Sequence, residues 1–81
     1  MLDIHKHALQ LISNKDWDDA HHLIQNYNDD FSCLIHGYLH REEGDLSNAA
    51  YWYERANQTL SNNSLDEEFA RITALINSPA D

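Results

Sequence analysis

The chain has 81 residues, which favours a single domain, and its 14 acidic and 5 basic residues give a formal net charge of −9. So few basic residues argue against nucleic-acid binding and against binding to anionic membrane surfaces, whereas a basic protein partner fits this charge. Only two Gly and one Pro are present, which disfavours a turn-rich β fold, so we expect an all-α protein.

Cellular location is constrained by cysteine content and by the apolar pattern. Cys33 is the single cysteine, so no internal disulfide can form, which points to a reducing compartment. The N-terminal stretch "MLDIHKHALQ" lacks the apolar core of a secretory signal, and no apolar run approaches the roughly 20 residues that span a bilayer. We therefore expect a cytoplasmic protein.

Apolar residues recur with the helical period in five stretches. The predicted helices cover residues 2–13, 17–27, 31–43, 46–60 and 64–77. Asp16 and Asp45 are candidate N-caps, Gly44 suits the end of the third helix, and "SLDE" from Ser64 to Glu67 has the capping-box pattern. In the last helix we expect the charged side chains to face water, namely Asp66, Glu67, Glu68 and Arg71.

Two segments of the chain resemble each other. "NKDWDDAHHLIQNY" at 14–27 and "EGDLSNAAYWYERA" at 43–56 both have Asp in the third place, an apolar residue next, and Ala in the seventh. The offset is 29 residues, from Ala20 to Ala49. Such internal similarity indicates repeated helical hairpins, each of which needs a neighbour to cover its second face.

The second unit resembles a tetratricopeptide repeat. Gly37 matches the small residue of that family's first helix, "EGDL" matches its turn, and Ala49, Tyr53 and Ala56 match the triplet of its second helix. The resemblance implies a right-handed stack of antiparallel hairpins, with a degenerate first hairpin at 1–27, a better-matched one at 30–60 and a capping helix at 64–77. An ordinary five-helix bundle is the alternative.

Three departures from the family pattern lie on one stripe of the third helix, and the terminating Pro of the family is also absent, with Ser61 near its place. Cys33, His36 and His40 stand where the family prefers Trp, Leu and Tyr. The segment "HGYLHREEGD…NAAYWYERA" also looks like a motif of small bacterial proteins, and that likeness implies no activity.

His36 and His40 are four residues apart, so they share a helix face and form a candidate metal-binding pair. Cys33 lies on the same stripe, but seven residues of helix separate it from His40 by about 10.5 Å. A further ligand would have to come from another helix, where His21, His22 or a carboxylate is available. The alternative is that these side chains simply pack against the next helix.

A second candidate site is the concave face of the resembled stack. With Leu9 of the first helix, the apolar face of the third helix would form a peptide groove or a homodimer seam. Its predicted lining is Phe31, Leu34, Tyr38 and Arg41. The alternative is that the last helix covers this face. In "YWY", Tyr51 and Trp52 flank the predicted core residue Tyr53 and are candidate partner anchors.

The sequence thus predicts a small interaction or self-association module that binds a protein, a peptide or a second copy of itself. Metal binding or sensing through His36 and His40, with Cys33 as a possible third ligand, is the alternative function. We expect no cofactor and no catalytic residues, because Cys33 and His36 come with neither an oxyanion site nor an orienting third group.

Overall fold

The fold is all-α, as the sequence predicts. The computed structural model describes residues 3–78, and in this range the chain forms five helices and no strand. The helices are α1 (Asp3–Ser13), α2 (Trp17–Ile24), α3 (Asp30–Glu42), α4 (Leu46–Arg55) and α5 (Leu65–Asn77). Leu2, assigned by the pattern to the first helix, and the terminal residues 79–81 lie outside the described residues. The tetratricopeptide-like arrangement stays a prediction.

Two helices are shorter than predicted. Helix α2 ends at Ile24, where the Tyr27 N–H donates to the Ile24 carbonyl at 3.1 Å and tightens the last turn. Helix α4 ends at Arg55 because Asn57 adopts a left-handed backbone conformation with φ +63°. Gly44, with φ +84°, closes α3 as predicted. Within residues 3–78, no helix has the length and apolarity that a membrane crossing requires.

Helix α3 lies at the centre of the molecule and contacts the four other helices. All nine residues from Ser32 to His40 are buried. The core around it is formed by small and aliphatic side chains from the neighbouring helices, chiefly Ala8, Leu9, Ile12, Ala20, Ile24, Tyr53, Ile72 and Ile76. Because residues 32–40 are buried on all sides of α3, each polar side chain among them needs a partner inside the protein.

Gly37 sets the close approach of α3 to α4. A Cβ atom at this position would lie 2.5 Å from Cδ1 of Tyr53 and 3.2 Å from the carbonyl oxygen of Ala49. These distances leave no room for any side chain at position 37. The resemblance to the repeat family implies a small residue at this position so that the two helices can approach closely. The structure has this close approach, because Gly37 lies against Tyr53 and Ala49.

Glu68 corrects the prediction that the charged residues of the last helix all face water. Its side chain is fully buried, whereas Asp66 and Glu67 are exposed. The carboxylate accepts hydrogen bonds from the Tyr53 hydroxyl at 2.5 Å, from Asn63 at 2.8 Å, and from Nε and Nη2 of Arg71 at 2.8 and 2.9 Å. The periodic pattern could not anticipate this burial, because it depends on donors supplied by α4 and by the loop before α5.

The ionisation of Glu68 follows from these bonds. Burial raises the pKa of the carboxyl group, but the hydrogen bonds from Arg71, Tyr53 and Asn63 together outweigh burial and lower the pKa to about 2. The side chain is therefore a carboxylate at neutral pH. It connects α5 to α4 and to the loop between them, and we call this set of four residues (Tyr53, Asn63, Glu68, Arg71) the Glu68 network.

Candidate metal centre

Three histidines meet between α2 and α3. His36 and His40 lie one turn apart on α3, as the sequence predicts, and His21 of α2 faces them. Their candidate ligand nitrogens all lie within 4.8 Å of one another. His36 and His40 are buried and His21 is half-buried. We call these three residues the histidine cluster.

The spacing of the ring nitrogens suits a metal ion. Nε2 of His21 lies 3.1 Å from Nε2 of His36. In a tetrahedral zinc site with Zn–N bonds of about 2.0–2.1 Å, two ligand nitrogens are about 3.3 Å apart. The third nitrogen, within 4.8 Å of the other two, would have to approach by no more than about 1.5 Å, which side-chain rotation can supply.

Two tryptophans hold the imidazole rings in place. The Trp17 indole stacks on His21 with centroids 4.9 Å apart, and the Trp52 indole stacks on His36 at 3.9 Å. Trp17 also donates from Nε1 to the carbonyl oxygen of Leu39 at 2.8 Å, which fixes the first turn of α2 against α3. These contacts limit ring rotation, so the histidine cluster is largely arranged before any ligand arrives.

Glu43 orients the third ring. Nδ1 of His40 lies 2.5 Å from Oε1 of Glu43, so the ring N–H donates to the carboxylate and Nε2 is the nitrogen that remains for a metal. Metal-binding histidines commonly donate from their other ring nitrogen to a carboxylate in this way. Asp45 lies near the same outer edge, and its oxygens with His40 and Glu43 form a second, more exposed group. Because exposed carboxylates often gather without a metal, the enclosed nitrogen set is the stronger candidate.

Two of the rings, those of His21 and His36, are in the protonation state that a metal requires. Desolvation, followed by the neighbouring His21 and His40, lowers the pKa of His36 to about 4. Desolvation is also the main cause of the lowered pKa of His21, to which His40 adds, while Glu43 and Asp18 act in the opposite direction. Both rings are therefore neutral at pH 7 and can present lone pairs, which metal binding demands.

One nitrogen of the cluster is left without a hydrogen bond. Nδ1 of His36 is buried and has no partner among the described residues. An unsatisfied buried polar atom costs on the order of 1–3 kcal/mol, and each one in a native protein requires an explanation. This unpaired nitrogen is therefore an energetic cost that the other contacts of the His36 ring must offset.

Cys33 lies outside the histidine cluster. Its side chain is buried and its thiol donates to the carbonyl oxygen of Asn28 at 3.5 Å. The ligand set that the structure brings together is therefore His36 and His40 with His21, rather than with Cys33. The separation of seven residues along α3 explains this, because Cys33 and His40 lie two turns apart.

The predicted concave surface is largely covered within the protein. Leu9, Leu34 and Tyr38 are buried, and Tyr38 contacts Phe69 of α5 with ring centroids 5.7 Å apart. This is the alternative in which the last helix covers the face. The two other lining residues are half-buried: the Phe31 ring meets His5 edge-on, and Arg41 donates to Asn63.

The aromatic residues of α4 differ in their exposure. Tyr51 is 52% exposed, whereas Trp52 is half-buried against His36. The guanidinium of Arg55 lies over both rings, 5.7 Å from the Tyr51 centroid and 5.2 Å from the Trp52 centroid. The outer face of α4 thus presents a small aromatic and cationic surface, and we call these three residues the Tyr51 patch.

A serine, a histidine and an aspartate also meet at the start of α3. Nε2 of His5 lies 2.6 Å from Oδ2 of Asp29 and 3.2 Å from Oγ of Ser32, and the Ser32 hydroxyl donates to Asp29 at 2.6 Å. In a nucleophilic triad the imidazole uses different nitrogens for serine and aspartate, but here one nitrogen faces both. With Ser32 fully buried, this group is an N-cap of α3 that holds α1.

The sequence predicts His21 as one of several possible donors from another helix, and the packing of α2 on α3 selects it. Sequence reasoning misses Glu43, although its spacing of three residues from His40 is a signal that could have found it. No protein-family model, no curated protein and no solved structure matches this chain.

Proposed function

We propose that this protein binds a divalent transition-metal ion through His21, His36 and His40. The observation that carries the proposal is the convergence of three imidazole rings, with two ring nitrogens already 3.1 Å apart. Glu43 supports it as the outer partner of His40. The acidic surface adds to it, because a net charge of −9 raises the local concentration of cations.

The donor atoms define the class of metal. Three imidazole nitrogens suit zinc, cobalt, nickel and copper, whereas calcium and magnesium prefer oxygen ligands. The nitrogens come from two helices whose relative position is fixed by the Trp17 hydrogen bond to Leu39. Binding would therefore strengthen the contact between α2 and α3. A role in metal storage, delivery or sensing is consistent with a site of this kind on a small helical domain.

Isothermal titration of the metal-free protein with zinc tests this proposal. We expect one saturable site per chain in the wild type, and a loss of at least tenfold in affinity for His21→Ala and for His40→Ala. His22→Ala and His7→Ala are matched controls, because both residues are exposed. Circular dichroism verifies that each variant is folded. An unchanged zinc affinity in the His21→Ala variant would rule the site out.

The second candidate function is protein binding or self-association in the cytoplasm, and the exposed Tyr51 patch favours it. Tyrosine, tryptophan and arginine are enriched at the energetic centres of interfaces. Tyr51 is 52% exposed and packs under Arg55. Size-exclusion chromatography with light scattering tests self-association: a dimer that Tyr51→Ser converts to a monomer supports it, and a wild-type monomer at all concentrations removes it.

A further inference from the structure

The proposed metal site has three protein ligands where a tetrahedral ion takes four. In the described part of the chain, no additional histidine, cysteine or carboxylate comes within 4.8 Å of all three ligand nitrogens of the histidine cluster. Sites that are purely structural fill all four positions with protein ligands, whereas sites that act on a ligand leave one open. A count of three protein ligands therefore indicates a site that leaves one position open for a ligand.

The Glu43 carboxylate lies beside the histidine cluster, but it is engaged by His40. Its Oε1 accepts from Nδ1 of His40, the nitrogen on the outer side of that ring. It belongs to the outer group with His40 and Asp45 and does not lie close to all three histidines. Glu43 therefore orients a ligand and leaves the fourth position to a molecule from solution.

His21 of α2 is the most exposed member of the histidine cluster. It is half-buried, whereas His36 and His40 are buried. The flat faces of His21 and His36 are covered by Trp17 and Trp52. A molecule from solution would therefore approach along His21, and the two indoles would limit its size.

We infer that the metal ion bound at His21, His36 and His40 keeps one exchangeable position, which accepts a small monodentate Lewis base. The inference rests on the proposed metal-binding function. The ligand class comprises water or hydroxide, small inorganic anions such as azide, and single imidazole-type nitrogens. Binding is a simple ligand exchange in which the base displaces a water molecule from the ion, and no electron is transferred.

Cobalt(II) is the appropriate probe, because its visible absorption reports both metal binding and the number and type of ligands. The metal-free protein is first titrated with cobalt(II) to one equivalent, and azide is then added. We expect intense visible bands of a four-coordinate cobalt site, followed by a saturable change in their position and intensity with azide. Imidazole added instead of azide should produce a different, also saturable, spectrum.

The outcomes separate the inference from the function on which it rests. If no saturable cobalt spectrum forms in the wild type, both the metal site and the open position are overturned. If cobalt binds with one equivalent but azide and imidazole leave the bands unchanged, the open position is overturned and metal binding stands. The Glu43→Gln variant identifies one cause: a response to azide that appears only in this variant shows that Glu43 is the fourth ligand.

Discussion

Two buried polar groups of this molecule are satisfied to different degrees. In the Glu68 network both carboxylate oxygens accept hydrogen bonds, and Arg71 supplies the compensating charge. In the histidine cluster, three imidazole rings face one another and Nδ1 of His36 has no partner among the described residues. The first arrangement stabilises the fold, whereas the second presents ring nitrogens to the proposed metal ion.

The helices that carry the two groups also differ in length and in N-terminal capping. Helix α5, which carries Glu68, has 13 residues and begins with a full capping box between Ser64 and Glu67. Helix α2, which carries His21, has eight residues, and its N-cap Asp16 makes no side-chain hydrogen bond. Short and uncapped helices depend on tertiary contacts for their stability. A metal ion between α2 and α3 would supply such a contact to α2, which is short and lacks a side-chain cap.

Removing the Glu68 carboxylate should have the largest effect on stability. The Glu68→Ala variant leaves the Tyr53 hydroxyl and the Asn63 amide without their acceptor and leaves Arg71 with Gln58 alone. Loss of this buried hydrogen-bond network costs on the order of 3 kcal/mol. Urea unfolding followed by circular dichroism measures the free energy of unfolding. Glu54→Gln, at an exposed position, is the control and should change it by less than about 0.5 kcal/mol.

The effects of His36 and of Glu68 on the free energy of unfolding should also change in different pH ranges. The pKa of His36 is about 4 in the folded protein against 6.5 for an ordinary histidine, so between these values the unfolded chain binds more protons. Stability therefore falls as pH decreases from 6.5 to 4, by on the order of 3 kcal/mol for this residue. The pKa of Glu68 is about 2 in the folded protein against 4.5 for an ordinary glutamate. The stability that depends on the Glu68 carboxylate is therefore lost as pH falls from 4.5 to 2.

Urea titrations of the metal-free protein at pH 7, 5.5, 4 and 3 measure this difference. His36→Leu should flatten the profile between pH 6.5 and 4 only, and Glu68→Gln should flatten it below pH 4.5 only. A His36→Leu profile that is parallel to the wild type through the upper range would contradict the assignment of that range to the histidine cluster.

The N-caps offer a smaller contrast between the same two helices. Ser64→Ala should cost about 1 kcal/mol, because the hydroxyl accepts from the Glu67 N–H at 3.1 Å. Asp16→Ala should cost less than about 0.5 kcal/mol, because the Asp16 side chain makes no capping bond. Thermal unfolding of the two variants side by side checks the order, and equal losses would show that α2 is capped as firmly as α5.

His36→Leu should have only a small effect on stability at pH 7. The substitution removes the hydrogen bond to His21 but also removes the unsatisfied nitrogen, and these two effects oppose each other, so the free energy of unfolding should change by less than about 1 kcal/mol. Zinc affinity should nevertheless fall at least tenfold. A stability loss above about 3 kcal/mol would instead identify His36 as a structural residue, comparable with Glu68.

Much of the fold was predictable because it depends on local patterns. The period of the apolar residues predicted five helices, and the matched positions of Gly37, Ala49 and Tyr53 predicted the close contact of α3 and α4. The ends of α2 and α4 were placed too late, because the apolar pattern continues beyond the residues at which the backbone turns.

The two polar groups were less predictable, because their partners come from other helices. Sequence spacing placed His36 and His40 on one face, but the choice of His21 depends on how α2 packs on α3. For Glu68 the pattern predicted a water-facing side chain, since nothing within α5 reveals that Tyr53 and Asn63 would approach it. Local periodicity thus indicates which residues share a face, whereas tertiary packing decides which polar residues are satisfied.

The most direct test of the histidine cluster as a metal centre is a zinc titration followed by long-range proton–nitrogen NMR of the imidazole rings. The chain has six histidines, and each ring reports its own tautomer and metal contact. We predict that the ring nitrogens of His21, His36 and His40 shift together and saturate at one equivalent of zinc, while those of His5, His7 and His22 do not move. Simultaneous, non-saturating shifts of the exposed His7 and His22 rings, with the cluster unchanged, would contradict the account.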